Sequence, residues 1–326
     1  MQSVAVIGYG YWGPKIVRNL LSRGVQVSYV VDVDPARCED VKKTYPSVNA
    51  ITDMDVAIND PAVTAVIVVL PVKLHYIVAK KALLAGKHVL LEKPIASSIS
   101  ESEELVKIAE EKDLLLMVDH TYLYSEAIRK IKSIIVENNA KVIHISSNRS
   151  NLGVFRRDVN VLWDLAPHDL SIIRYLTDSR PKIVSAMGYC HNEQGVEDVA
   201  TLSLDYGDFT ADITTSWISP EKIRLFEIIT DKFMIVFNDL EKEEKISVYD
   251  AGYKAEGNNT ICWNNGVRKV NSGEEEPLSK MLKDFIDCIE GETIPVSSAL
   301  IGVDVVQTLE ASDKSISEKG RQVEMI

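Results

Sequence analysis

Val4-Ala5-Val6-Ile7-Gly8-Tyr9-Gly10-Tyr11-Trp12-Gly13-Pro14 runs from a short β-rich segment straight into a GxGxxG turn. Each glycine answers a steric demand. Gly8 permits the tight turn, Gly10 lets a pyrophosphate approach the backbone, and Gly13 allows close helix–strand packing. Pro14 suits a first helical residue, where a missing N–H costs nothing. The free N–H groups at such a helix start favour an anion. Asp32 ends the next apolar run, 19 residues beyond Gly13, where a ribose-binding acid belongs. The turn, including Tyr11 and Trp12, therefore reads as a dinucleotide site. The carboxylate of Asp32, with Asp34 behind it, favours NAD over the extra phosphate of NADP. Arg37 is a nearby group that suits a 2′-phosphate and keeps NADP as the alternative.

Outward from this turn, strand-like and helix-like segments alternate as far as Val118. Ala65–Leu70 is a continuous apolar run, as expected of a parallel strand buried on both faces. Leu74–Ala85 reads as helix, His88–Leu91 as strand, Ser100–Lys112 as helix and Leu114–Val118 as strand. This alternation predicts a doubly wound parallel sheet. After Asp119 the pattern changes. Tyr122–Asn138 and Asn160–Leu176 read as helices, and runs rich in Val, Ile, Thr, Tyr and Phe follow between Lys182 and Asp250. Turns as short as Asp205–Asp208 require antiparallel neighbours, since a parallel crossover needs a dozen residues or more. Glu256–Gly273 reads as a loop or irregular hairpin, and helices over Leu278–Glu290 and Ser298–Glu318 close the chain. The expected domains are 1–119 and 120–326, the second an α+β unit with an open, mainly antiparallel sheet.

Composition narrows the function. The 326 residues are 46% hydrophobic and 26% charged, with a net charge of −12. So acidic a chain is a poor nucleic-acid binder, because phosphate neutralisation needs a basic face. The longest apolar run falls far below the ~20 residues of a membrane helix, and no signal peptide is visible. Cys38, Cys190, Cys262 and Cys288 lack metal or CxxC spacing. Reduced cytoplasmic thiols, with no metal, are the expectation.

Two further motifs bear on chemistry. Glu92-Lys93-Pro94 follows His88–Leu91, at the carboxyl edge where open α/β sheets bind ligands. Asp164 and His168 stand four apart, on one face if their segment is helical. The carboxylate is then placed to orient a proton-accepting imidazole, although Pro167 disturbs the local geometry.

In combination these motifs resemble the Gfo/Idh/MocA oxidoreductases, the family of glucose–fructose oxidoreductase and inositol dehydrogenase. The resemblance runs over essentially the whole chain, through Val6–Gly10, Ala85–Val89 leading into Glu92-Lys93-Pro94, and the Asp164/His168 pair. It implies a Rossmann domain followed by a domain with an open antiparallel sheet, and an NAD-dependent sugar dehydrogenase. It implies that Lys93 lies by the nicotinamide ribose and the reacting hydroxyl, with His168 as proton acceptor and Asp164 nearby. Leu70, Pro71, His75, Glu92 and His120 are implied at the cofactor. Ala166 and Ser171 depart from the family's usual Gly and Asp.

A narrower resemblance, carried by Asn151-Leu152-Gly153 and by Arg157 to Asp164, is to nucleotide-sugar 3-dehydrogenases acting on UDP-N-acetylglucosamine-type substrates. It implies substrate contacts from Arg149, Asn151, Arg156, Arg157, Asn160 and Trp163. Arginine forks suit phosphate oxygens, and asparagines suit sugar hydroxyls. A simple aldose or cyclitol is the rival substrate, and a non-catalytic NAD-binding homologue the rival of another class. Apolar residues on both alternating sets of Thr201–Leu204, Thr210–Trp217 and Arg224–Thr230 predict a homodimer or homotetramer paired through this sheet.

Overall fold

The structure, a computed structural model, describes every residue except Met1, Gln194, Asn258, Glu274, Glu292 and Ile326. The chain divides into two units, Met1–Tyr124 with Glu276–Val306, and Ser125–Glu275 with Gln307–Ile326.

In the first unit, β1 (Ser3–Ile7), β2 (Gln26–Val31), β3 (Asn49–Ile51), β4 (Ala65–Val68), β5 (His88–Leu91) and β6 (Leu116–Val118) form a sheet in the order β3-β2-β1-β4-β5-β6. Every pairing is parallel. The central strands β1 and β4 are buried throughout, which is why they read as unbroken apolar runs. Helices α1 (Gly13–Ser22), α2 (Pro35–Thr44), α3 (Met54–Asn59), α4 (His75–Leu84) and α5 (Ile99–Glu111) connect them. Local chemistry starts several of these helices. Pro14 lies in the first turn of α1, the Asp34 side chain caps α2 at Ala36 N, and Ser98 caps α5 at Glu101 N. Neither β3 nor α3 is apparent in the sequence, because three and six residues are too few to display a period.

The two contact units differ from the expected boundary at 119/120 in two respects. The first unit continues to Tyr124, and it regains Glu276–Val306 from the segment assigned to the second domain. Helix α8 (Pro277–Ile289) explains the return. It buries Leu278, Met281, Leu282 and Phe285, and three side-chain bonds tie it to residues of 1–124. Arg18 pairs with Glu276, Arg23 Nε donates to Ser279 at 2.9 Å, and Tyr124 Oη donates to Asp284 at 2.6 Å.

The second unit holds α6 (Glu126–Glu137), β7 (Val142–Leu152), α7 (Val161–Thr177), β8 (Ile183–Tyr189), β9 (Val199–Asp205), β10 (Thr210–Ser216), β11 (Ile218–Thr230), β12 (Met234–Asn238), β13 (Ile246–Glu256) and β14 (Asn259–Val270). After α8 come α9 (Ala299–Ser317), which the division crosses, and β15 (Val323–Glu324). The sheet order is β14-β13-β12-β11-β7-β10-β9-β8-β15, antiparallel apart from the parallel β7–β10 pair. The segment read as a loop or irregular hairpin is mostly strand β14, paired with β13.

The two faces of this sheet differ from the expectation. On β9 and β10 the residues turned from the core are Val199, Thr201, Ser203, Asp205, Thr210, Asp212 and Thr214, polar apart from the half-buried Val199. Half-exposed apolar residues on that face gather on β11 and β12, at Leu225, Ile229, Met234 and Val236. Among the described residues, no helix is long and apolar enough to cross a membrane.

Candidate active site

The strand order reverses between β1 and β4, and open α/β sheets bind ligands at this point. Gly8 follows β1 with φ +103°, and a Cβ there would lie 2.1 Å from the Val69 carbonyl oxygen. A Cβ on Gly13 would lie 2.6 Å from the Gly8 carbonyl, whereas a Cβ on Gly10 would meet only the Arg37 guanidinium, at 3.9 Å. Two glycines thus close the turn, and the third leaves its backbone open to approach. No acidic residue occupies the first turn of α1, and its cap residue Trp12 makes no side-chain cap bond. The positive end of the helix is left to an anion. Tyr11 and Trp12 stand exposed at the tip, with Lys15 Nζ over both rings.

Asp32 leaves β2 buried. Its Oδ2 accepts from Tyr9 N at 2.8 Å and Arg37 Nη1 at 3.1 Å, and its Oδ1 accepts from Asp34 N at 3.0 Å. Burial pushes this carboxyl up, but the two amides and the guanidinium outweigh it and hold it below the usual carboxylate range. The acid expected at the ribose therefore also shapes the glycine turn.

Beyond β4, Leu70 and Pro71 lie on the same edge. His75 opens α4 and is buried, with Nδ1 2.8 Å from the Pro94 carbonyl and Nε2 2.7 Å from the Leu70 carbonyl. Its part at the edge is to tie the β4 loop to the segment containing Lys93. Glu92 and Lys93 follow β5, and His120 follows β6 by two residues. His120 is fully buried, and among the described residues neither ring nitrogen has a hydrogen-bond partner. Burial first, and the Lys93 charge second, push its pKa down to about 3. Gly8, Gly10, Tyr11, Trp12, Gly13, Asp32, Arg37, Leu70, Pro71, Glu92, Lys93 and His120 all sit beyond the carboxyl ends of parallel strands. An orphaned buried imidazole on the same edge as a glycine cradle suits a dinucleotide with a polar ring at that end.

In the second unit, α7 carries Asp164 and His168 one turn apart, both half-buried. Asp164 accepts from Trp217 Nε1 at 3.2 Å and from Arg156 Nη1 at 3.4 Å. Pro167 lies inside the helix without ending it.

Most of the residues expected at the substrate have partners within the chain. Arg149 is buried, and it donates from Nε and Nη2 to Asp169 at 2.8 and 2.9 Å. It shares the inward set of β7 with Ile145 and Ser147, and α7 supplies the anion that its burial requires. Arg156 bonds Asp158 through Nε and Nη2, both at 3.2 Å, in addition to Asp164. The Asn151 side-chain carbonyl accepts from Arg224 at 2.6 Å. Asn160 caps α7 at Trp163 N, and its amide donates to Asp313 at 3.0 Å. Trp163 Nε1 donates to the other Asp313 oxygen at 2.7 Å. Of the six, Arg157 remains exposed, lining a cavity of about 530 Å³ with Phe155, Asn192 and Glu193.

These features define a dinucleotide-binding α/β protein of the Rossmann type that carries a mixed-sheet second domain. The NAD-binding Rossmann fold of the Gfo/Idh/MocA oxidoreductases matches residues 2–120, and that family's C-terminal domain matches residues 144–236. The chain belongs to the Gfo/Idh/MocA oxidoreductase family. It is 28% identical to scyllo-inositol 2-dehydrogenase (NADP(+)) of Bacillus subtilis, over 97% of this chain and 94% of that protein. It is 26% identical to UDP-N-acetylglucosamine 3-dehydrogenase of Acidithiobacillus ferrooxidans, over 87% of each. The fold superposes on the solved structure of the A. ferrooxidans UDP-N-acetylglucosamine 3-dehydrogenase with a TM-score of 0.84, at 22% identity over 97% of this chain and 98% of that one. An Agrobacterium radiobacter oxidoreductase in complex with NAD+, L-tartaric acid and magnesium superposes with a TM-score of 0.82, at 18% identity over 99% and 98%.

Proposed function

We propose that this protein is a dehydrogenase that prefers NAD to NADP and oxidises one secondary alcohol of a polyhydroxylated ring. The observation that carries this reading is the gathering of the glycine turn, Asp32, Lys93 and His120 beyond one edge of the parallel sheet. When bound, the nicotinamide supplies the hydride acceptor. The Lys93 ammonium holds the reacting oxygen and polarises it as a carbonyl develops, and the His168 imidazole takes the hydroxyl proton as a general base. The Asp32 carboxylate serves the ribose hydroxyls and repels a 2′-phosphate.

For the substrate, two readings stand. A UDP-N-acetylhexosamine oxidised to its 3-keto form draws support from the A. ferrooxidans relative and from Arg157 beside Phe155 at the open cavity. An uncharged aldose or cyclitol draws support from the scyllo-inositol relative and from the pairing of Arg149 and Arg156 with acids of their own chain. Because two of the three arginines are neutralised, the uncharged ring is favoured. Mixing the NAD-loaded protein with UDP-sugars, free sugars and inositols, and following the absorbance of reduced nicotinamide, tests both. Turnover of UDP-N-acetylglucosamine alone would reverse the preference, and no turnover with any compound would defeat the dehydrogenase reading.

A further inference from the structure

We propose that Ser297 is the positioning residue for His120, the hydroxyl that fixes the exit of β6 so that the imidazole meets the nicotinamide end of a bound dinucleotide. This rests on the reading of His120 as a group at that end of the cofactor. Ser297 is buried and belongs to the segment that returns to the first unit. That segment runs antiparallel beside β6, the edge strand of the six-stranded sheet. Ser298 stands opposite Met117, and Val118 N donates to the Ser297 carbonyl at 3.3 Å.

At Asp119 the chain leaves β6 in a three-residue turn, closed by His120 N on the Val118 carbonyl at 2.8 Å. Ser297 Oγ bridges the two ends of that turn, donating to the Val118 carbonyl and accepting from His120 N at 3.3 Å. A hydroxyl can donate and accept at one atom, which a methyl group cannot. Ser297 is anchored in turn. Its N donates to Tyr124 Oη at 3.2 Å, and both Tyr124 Oη and Val296 N donate to Asp284. Gly302 in α9 backs the same place, since a Cβ there would lie 2.8 Å from Val118 Cγ2 and 3.2 Å from Ile95 Cβ. Val118 ends β6, and Ile95 follows Lys93-Pro94, so α9 closes on both strand exits. What this framework holds still is a buried ring whose nitrogens have no hydrogen-bond partner among the described residues. An unsatisfied buried imidazole calls for an explanation, and a backbone fixed around it is what a site preorganised for a polar ligand needs.

The test uses the full chain with two probes, NAD and ADP-ribose, the second lacking the nicotinamide. Ser297→Ala is expected to weaken NAD by about tenfold, the upper worth of one neutral hydrogen bond, and to leave ADP-ribose affinity nearly unchanged. Ser297→Thr keeps the hydroxyl and should restore NAD binding. Ser297→Cys, close in volume but a weak donor and acceptor, gives the same comparison if Ser297→Ala does not fold. His120→Ala should show the same selective loss, and adding Ser297→Ala to it should cost little more, because residues acting as one unit are not additive. Ser102→Ala removes another buried hydroxyl of this unit, one bonded to the Ser98 carbonyl in α5, and should leave the ratio of the two affinities alone. In the cofactor-free chain the His120 ring, held neutral down to about 3, should take up its proton about one unit higher or more in Ser297→Ala, as the loosened ring reaches water. Equal losses for both probes, or a His120 ring signal and midpoint that do not move, would overturn the assignment. If the ring responds to Ser297→Ala yet His120→Ala weakens both probes alike, Ser297 still fixes the β6 exit and the placement of His120 at the nicotinamide fails.

Discussion

Arg37 Nη1 lies 3.1 Å from Asp32 Oδ2, so this cation near the ribose end of the glycine turn is already held by the acid beside it. Asp34 engages the same guanidinium from its other side at 3.7 Å. A 2′-phosphate would have to compete with two carboxylates for Arg37. NAD should therefore bind more tightly than NADP by about tenfold or more, roughly 1.4 kcal/mol. Parallel fluorescence titrations check this, and equal or tighter NADP binding would defeat the carboxylate argument. Asp32→Ala should narrow the difference and weaken both, since Tyr9 N loses its acceptor.

Lys93→Met and His168→Ala should each keep NAD affinity and lower turnover by about 10²-fold or more, the usual scale for losing a proton-transfer group. Cofactor titration beside steady-state kinetics separates the two effects. Near-normal turnover in His168→Ala would remove it from the mechanism.

The Arg149–Asp169 pair joins β7 to α7 inside the second unit. Removing one partner leaves a buried charge uncompensated, so Asp169→Ala should destabilise the protein by about 3–5 kcal/mol. Replacing both residues with apolar ones of similar volume should cost much less. Urea unfolding of the single and double variants checks it, and equal losses would show that charge is not the issue.

Two buried groups give stability opposite pH slopes. His120, held near 3, binds a proton more readily when unfolded, so its contribution is lost as pH falls from about 6.5 towards 3. Asp119, raised from 3.8 to about 6, binds a proton more readily when folded, so stability falls as pH rises across that interval. Between about 4 and 6 the two oppose each other. Asp119→Asn should therefore show a steeper rise of Tm with pH in that window than the unaltered chain. Parallel curves would count against the Asp119 shift.

If copies of the chain pair through the second sheet, the contact should centre on Leu225, Ile229, Met234 and Val236 rather than on the polar β9–β10 face. Light scattering on Met234→Lys, with Ser203→Lys on β9 as the control, distinguishes the two surfaces. The former should dissociate and the latter should not, and the reverse result would place the contact elsewhere.

The parts legible in the sequence were those governed by local sterics. Gly8 and Gly13 are required by carbonyls within a few ångströms, and Glu92-Lys93-Pro94 stands where a strand run stops. What was not legible depended on partners far along the chain. Asn160 and Trp163 are spoken for by Asp313, about 150 residues away. Arg149 could have been recognised by parity, since Ser147 and Ile145 two and four positions earlier also point inward.

The return of Glu276–Val306 to the first unit sets an order for biosynthesis. When the ribosome has released Met1–Tyr124, the partners of Arg18, Arg23 and Tyr124 are still unmade, and the whole of Ser125–Glu275 must be translated before they appear. An N-terminal domain usually folds before its successor emerges, whereas here the first unit gains its last helix only after Ser125–Glu275 has been made. Until α8 arrives, the nascent nucleotide unit lacks the side chains that pair with Arg18, Arg23 and Tyr124.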